Sequence, residues 1–167
     1  MHTFFQRIHQ FLGFLLSTTI FIIIVNSISG LYLDDSEPEI SIQLNKIHEF
    51  KNNARTDRAV IGFDLHADFT STFNWNVKQI FVFVTAEYQP EGRGKSEVVI
   101  WDHIIRSKEE AVLDLVDQKN KYVLVDYEND LRGQIINLTV NWDVMPLNGF
   151  LRLKKHGKTQ FTLPEKI

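Results

Sequence analysis

The chain has 167 residues, 44% of them hydrophobic and 23% charged, with no cysteine and a formal net charge of -3 at neutral pH. The lack of cysteine excludes structural disulfides, thiol catalysis and thiolate metal ligation. A near-neutral balance with no basic stripe offers no footprint for nucleic acid.

Residues 8–33 hold no charged side chain other than the titratable His9, and then meet Asp34, Asp35, Glu37 and Glu39. At ~1.5 Å per helical residue this run extends roughly 39 Å, more than the ~30 Å hydrocarbon core of a bilayer. It predicts one transmembrane helix over residues 11–33, a short tail over 1–10, and a single domain over 34–167 with a core of its own. Arg7 and the small residues of Ser27-Ile28-Ser29 also suit a cleaved signal peptide. Such peptides have apolar cores of about 7–15 residues, however, and the longer run here favours an uncleaved signal-anchor. Arg7 before the helix is set against Lys46 and Lys51 behind it. Basic-residue counting therefore favours a tail inside and a translocated domain only narrowly. Gly13-x-x-x-Ser17 has a spacing that admits a neighbouring helix. Equally, Ser17, Thr18 and Thr19 can bond carbonyls of their own preceding turn.

Beyond Pro38 the period becomes two. Strands are expected over 40–47, 63–69, 80–84, 98–105, 122–127 and 136–144, followed by two short ones at 150–153 and 159–163. The clearest alternation sets Ile136, Leu138, Val140, Trp142 and Val144 against Asn137, Thr139, Asn141 and Asp143, the pattern of a half-buried strand. Residues 80–84 are apolar on both faces, which fits a central strand or one whose outer face meets a partner. Pro90, Gly92 and Gly94 mark a turn, as do Pro146 and Asn148-Gly149. Only residues 108–115 suggest helix. The fold class is mainly β: one N-terminal transmembrane helix followed by an antiparallel β-sandwich-like domain.

Chemistry-bearing motifs are few. Asn137-Leu138-Thr139 is an N-glycosylation sequon on the polar face of its strand, a position open to a glycan; its use requires a lumenal domain. Asp64-x-His66-x-Asp68 presents metal-ligand types, but any polar strand face shows such residues at spacing two, and no fourth ligand is identifiable. No metal or cofactor site is therefore expected. Ser71, Ser96, Ser107, His103 and Lys95 supply the residue types of a serine peptidase without a nucleophile elbow or a Ser-x-x-Lys pattern. Gly92-x-Gly94 reads as a turn, not a phosphate loop.

The segment FNWNVKQIFVFVTAEY at 73–88 resembles the hallmark segment of the signal peptidase complex subunit 3 family. VVIWDHII at 98–105 resembles that family's tryptophan-containing strand, and residues 138–151, with Trp142 and Pro146, its late strand and turn. The short tail and single span match as well, while 106–130 matches more loosely. The resemblance implies a single-pass type II protein of the endoplasmic reticulum membrane with a glycosylated lumenal domain. It also implies a non-catalytic role beside a separate catalytic subunit and two smaller membrane subunits. Trp75, Phe81 and Phe83 are expected at or next to the partner contact, ordinary core packing being the alternative for each. Two other readings stand beside this one: a membrane-tethered β-sandwich binding module outside the complex, and a free-standing hydrolase using His66 or His103 with a nearby acid.

Overall fold

A computed structural model describes residues 3–31, 37–52, 56–90, 92–128 and 130–165. Asp34 and Asp35, the expected boundary between residues 33 and 34, and Glu91 of the predicted turn lie outside the described residues.

Helix α1 (Phe4–Leu31) is the only α-helix described. Apolar residues lie around its circumference, its most apolar stretch has no buried residue, and it is long and apolar enough to cross a membrane. Its hydroxyls stay within the helix: Ser17 Oγ and Thr18 Oγ1 donate to the Phe14 carbonyl at 2.9 and 2.8 Å, and Thr19 Oγ1 donates to that of Leu15 at 2.9 Å. Gly13 stays open, with no atom within 4 Å of where a Cβ would stand.

Eight strands follow: β1 (Glu39–Asn52), β2 (Asp57–Asp68), β3 (Val77–Tyr88), β4 (Ser96–Ile105), β5 (Val112–Lys119), β6 (Leu124–Asp126), β7 (Ile135–Pro146) and β8 (Arg152–Thr162). They form two antiparallel sheets. One runs β1-β2-β5, with β6 also pairing β2; the other runs β4-β3-β7-β8. Alternation places Ala59, Ile61, Phe63, Leu65 and Ala67 of β2 against Ile80, Val82 and Val84 of β3 and Ile136, Leu138, Val140, Trp142 and Val144 of β7. Edge-to-face contacts of Phe63 with Trp101 at 6.2 Å and of Phe69 with Trp142 at 5.7 Å tie the layers together.

Two expectations need correction. Residues 108–115 do not form a helix: Lys108–Glu110 is a single 3-10 turn, and Val112–Lys119 is an edge strand that buries Leu113. The two short strands at 150–153 and 159–163 are one continuous strand, β8. Lys158 pairs Thr139 and His156 pairs Val140, leaving Gly157 as the extra residue of a bulge with φ +64°. The polar stretch that reads as a loop is therefore the solvent side of a bulged edge strand.

Candidate functional site

The ligand-like and nucleophile-like residues do not converge. Asp64 accepts from Asn45 Nδ2 at 2.9 Å and from the Asp117 backbone N–H at 2.8 Å. His66 Nδ1 faces Asp114 at 3.8 Å, and Asp68 caps the Thr70 N–H at 2.8 Å. The Thr70 hydroxyl, together with that cap, holds the Asp68 carboxyl below the usual range. His103 stacks on Trp101 with centroids 5.9 Å apart, while Ser107 is engaged by the Glu109 carboxyl and Ser96 by the Tyr88 hydroxyl. Among the described residues no group of three acids or histidines is placed to hold a metal ion.

A polar cluster that alternation does not reveal lies on the outward face of the first sheet. Asn45 and His48 are the extra residues at two bulges of β1, and a third bulge of β5 carries Asp117 at φ 49°. Lys46 Nζ and His48 Nε2 reach the Asp117 carboxylate at 2.9 and 2.7 Å. The Lys46 hydrogen bond, with smaller help from His48, keeps that carboxyl below its ordinary range despite some desolvation. Space for the pair exists because residue 62 is glycine: a Cβ there would lie 2.2 Å from Asp117 Oδ1 and 2.8 Å from His48 Nε2. The cluster is a strut between β1, β2 and β5, with no nucleophile beside it.

The outward face of the second sheet has a different character. Phe81 and Phe83 alternate with the buried Ile80, Val82 and Val84, so both point away from the core; their rings stack with centroids 5.3 Å apart. Register places Asp143 and Ile104 beside Phe81, and Asn141 and Asp102 beside Phe83. Farther along the same face Thr85, Thr139 and Asn141 are buried, with Asn141 Nδ2 donating to Thr85 Oγ1 at 2.9 Å. Lys155 of β8 reaches over β7 and β3 to Glu97 of β4 at 3.1 Å, roofing this polar island. Val99, Ile104 and Leu153 stay substantially exposed around it. The result is a mixed face on which an aromatic pair lies beside a buried polar island.

Asn137 sits on this face in β7, half-buried, in register with Glu87 and Gln160. It opens into a groove shared with Glu87, Lys95, Gln134 and Ile135. Within the groove the buried Glu87 carboxylate pairs with Lys95 Nζ at 2.7 Å.

Trp75 stands apart from the phenylalanine pair, on the loop between β2 and β3, and is 57% exposed. That loop meets the end of α1. Asn76 Nδ2 donates to the Asn148 carbonyl at 2.9 Å, and the Asn148 N–H donates back to Asn76 Oδ1 at 3.1 Å. This clasp presses on the helix at Gly30, where a Cβ would stand 2.8 Å from Asn76 Nδ2. Ser27 and Gly30 line one side of a narrow cleft; Asn76, Pro146, Asn148 and Phe150 line the other.

A protein family described as signal peptidase subunit matches residues 1–166. Among relatives, the chain is similar to Signal peptidase complex subunit 3 of Dictyostelium discoideum, 32% identical over 164 residues, 98% of this chain and 95% of the relative. It is also similar to Signal peptidase complex subunit 3 of Canis lupus familiaris, 34% identical over 159 residues, 92% of this chain and 88% of that one. A third, Signal peptidase complex subunit 3 of Saccharomyces cerevisiae, is 36% identical over 120 residues, 71% of this chain and 65% of the relative.

Proposed function

The chain belongs to the signal peptidase subunit family, and from that premise we propose that it is an accessory, membrane-anchored subunit of the endoplasmic reticulum signal peptidase complex. The observation that carries this reading is the family match over residues 1–166, which takes in the apolar helix and the sandwich together. In this role the protein is non-catalytic. It supports a separate catalytic subunit, and two smaller membrane subunits complete the assembly. Dispersal of its histidines, serines and acids into unrelated local contacts favours support over chemistry.

Residues 11–33 serve as an uncleaved signal-anchor, with residues 1–10 in the cytosol and 34–167 in the lumen. Asn137 is then a glycan acceptor, and its position on an outward strand face beside an open groove supports that assignment. The stacked Phe81 and Phe83 are the centre of the face that meets the catalytic subunit. Purification from microsomes in a mild detergent tests the assignment: the catalytic peptidase subunit co-purifies, and recovery without it overturns the proposal. Glycosidase treatment tests topology separately, with a mobility shift expected for the native chain and none for Asn137→Gln.

A further inference from the structure

Helix α1 is 28 residues long, about 42 Å at ~1.5 Å per residue, and so exceeds the hydrocarbon core by roughly 12 Å. Its first turns carry Gln6, Arg7, His9 and Gln10, groups that belong among headgroups. A hydrocarbon segment starting at Phe11 and running ~20 residues ends at Gly30. Ser27 and Gly30 are therefore at the far edge of the acyl region, and tilt of the helix would carry them deeper. These are the same two residues that face Asn76, Asn148 and Phe150 across the cleft. The loops carrying those residues share that depth.

These loops also expose large apolar groups. Trp75 is 57% exposed on the β2–β3 loop, and Leu147, Phe150 and Leu151 are 59%, 78% and 64% exposed around the β7–β8 turn. A tryptophan with leucines and a phenylalanine at this level matches the interfacial belt of membrane proteins, where an apolar ring body meets lipid and its polar edge meets water. We propose that these two loops form a membrane-dipping rim, with Trp75, Leu147, Phe150 and Leu151 inserted at the boundary between headgroups and acyl chains. The occupant of these apolar side chains is lipid, because the loops that carry them meet the membrane-spanning helix at Ser27 and Gly30. The rim and the Asn76–Asn148 clasp at Gly30 fix the sandwich against the bilayer at a set height, so the phenylalanine face is held out of lipid. This inference rests on the membrane-anchored reading above, but not on which side of the membrane the domain occupies.

The chain contains three tryptophans, and Trp101 and Trp142 are only 6% and 2% exposed. Trp75 therefore supplies the accessible emission. The test is fluorescence of the full chain reconstituted in phosphatidylcholine vesicles whose acyl chains carry bromines either near the headgroup or near the bilayer centre, with Trp75→Phe as the subtraction control. The Trp75-dependent emission should fall by roughly half with bromines near the headgroup, the depth expected of an interfacial tryptophan, and by less with the deep label. Quenching by aqueous iodide without quenching by either lipid label overturns the rim, as does a Trp75 protected from all three quenchers. Alkaline carbonate washing of the same vesicles separates the two ideas. A chain that stays in the membrane pellet while Trp75 ignores the bromines loses the rim and keeps its anchor, whereas a chain that washes off loses both.

Discussion

Asp117 shows what one residue in a left-handed backbone conformation can organise. With its φ of 49°, its carboxylate meets Lys46 and His48, and the space at Gly62 admits the carboxylate and the His48 ring. Because the Lys46 hydrogen bond depresses the folded carboxyl, the unfolded chain binds more protons in the acid range. The stabilisation is complete above the unfolded carboxylate pKa of about 3.9 and is lost as pH falls through the lower folded value. Asp117→Asn should therefore flatten the acid limb of a stability-against-pH curve measured by urea denaturation in detergent, and leave its shape above about pH 5 unchanged. An unaltered acid limb would show that the strut does not act through this charge. Gly62→Ala displaces the Asp117 carboxylate and the His48 ring by steric means and should cost about 1–2 kcal/mol at neutral pH in the same assay. None of this cluster is legible in the sequence. Asn45, Lys46, His48 and Asp117 look like ordinary surface polar residues until three bulges place them together.

At the scale of elements, the most informative case is β8. Lys154, Lys155, His156, Gly157 and Lys158 read as a turn because glycine among charges is a turn signal. The strand continues through them because Gly157 takes up one extra residue at φ +64° and lets β1 approach, with Ile40 Cγ2 3.0 Å from where a Cβ would stand. An L side chain there meets both the backbone cost and the contact. Gly157→Ala is expected to destabilise the domain by about 1–2 kcal/mol, seen as a lowered thermal midpoint of the far-ultraviolet β signal. A value unchanged from the parent would mean that the bulge relocates at no cost. Residues 108–115 mislead in the opposite direction: the short 3-10 turn at Lys108–Glu110 lends helical character to the start of a strand whose inward residues, Leu113 and Leu115, keep period two.

For the whole molecule, the proposed role depends on how one sheet face and one loop edge are presented. The core consumes the inward residues of both sheets, which leaves Phe81 and Phe83 stacked on the outside beside a roofed polar island. If this pair is the proposed contact with the catalytic subunit, it should act as a docking anchor, which typically contributes about 2 kcal/mol or more. Phe83→Asp should accordingly reduce recovery of the catalytic peptidase subunit in detergent by roughly tenfold or more while leaving the thermal midpoint near that of the parent chain. Full recovery would move the contact to another face, and a collapsed midpoint would return Phe83 to a packing role, the alternative that alternation alone left open for it.

Much was determined by sequence because it depends on local pattern. A long uncharged apolar run reads as a candidate membrane span, alternation makes strands, and a 16-residue segment at 73–88 carries enough specific choices to mark a family. Tertiary structure alone decided the rest. Bulges change which residues face together without changing composition, so the Asp117 strut was invisible. Asn76 and Asn148 clasp each other across a sequence separation of 72 residues, and they meet at Gly30 only because β3 and β7 are neighbours that start and end on the helix side of the sandwich. The apolar residues of those loops are ordinary exposed side chains in the sequence. Their gathering on the loops that meet the helix end is a consequence of strand pairing, which no local pattern encodes.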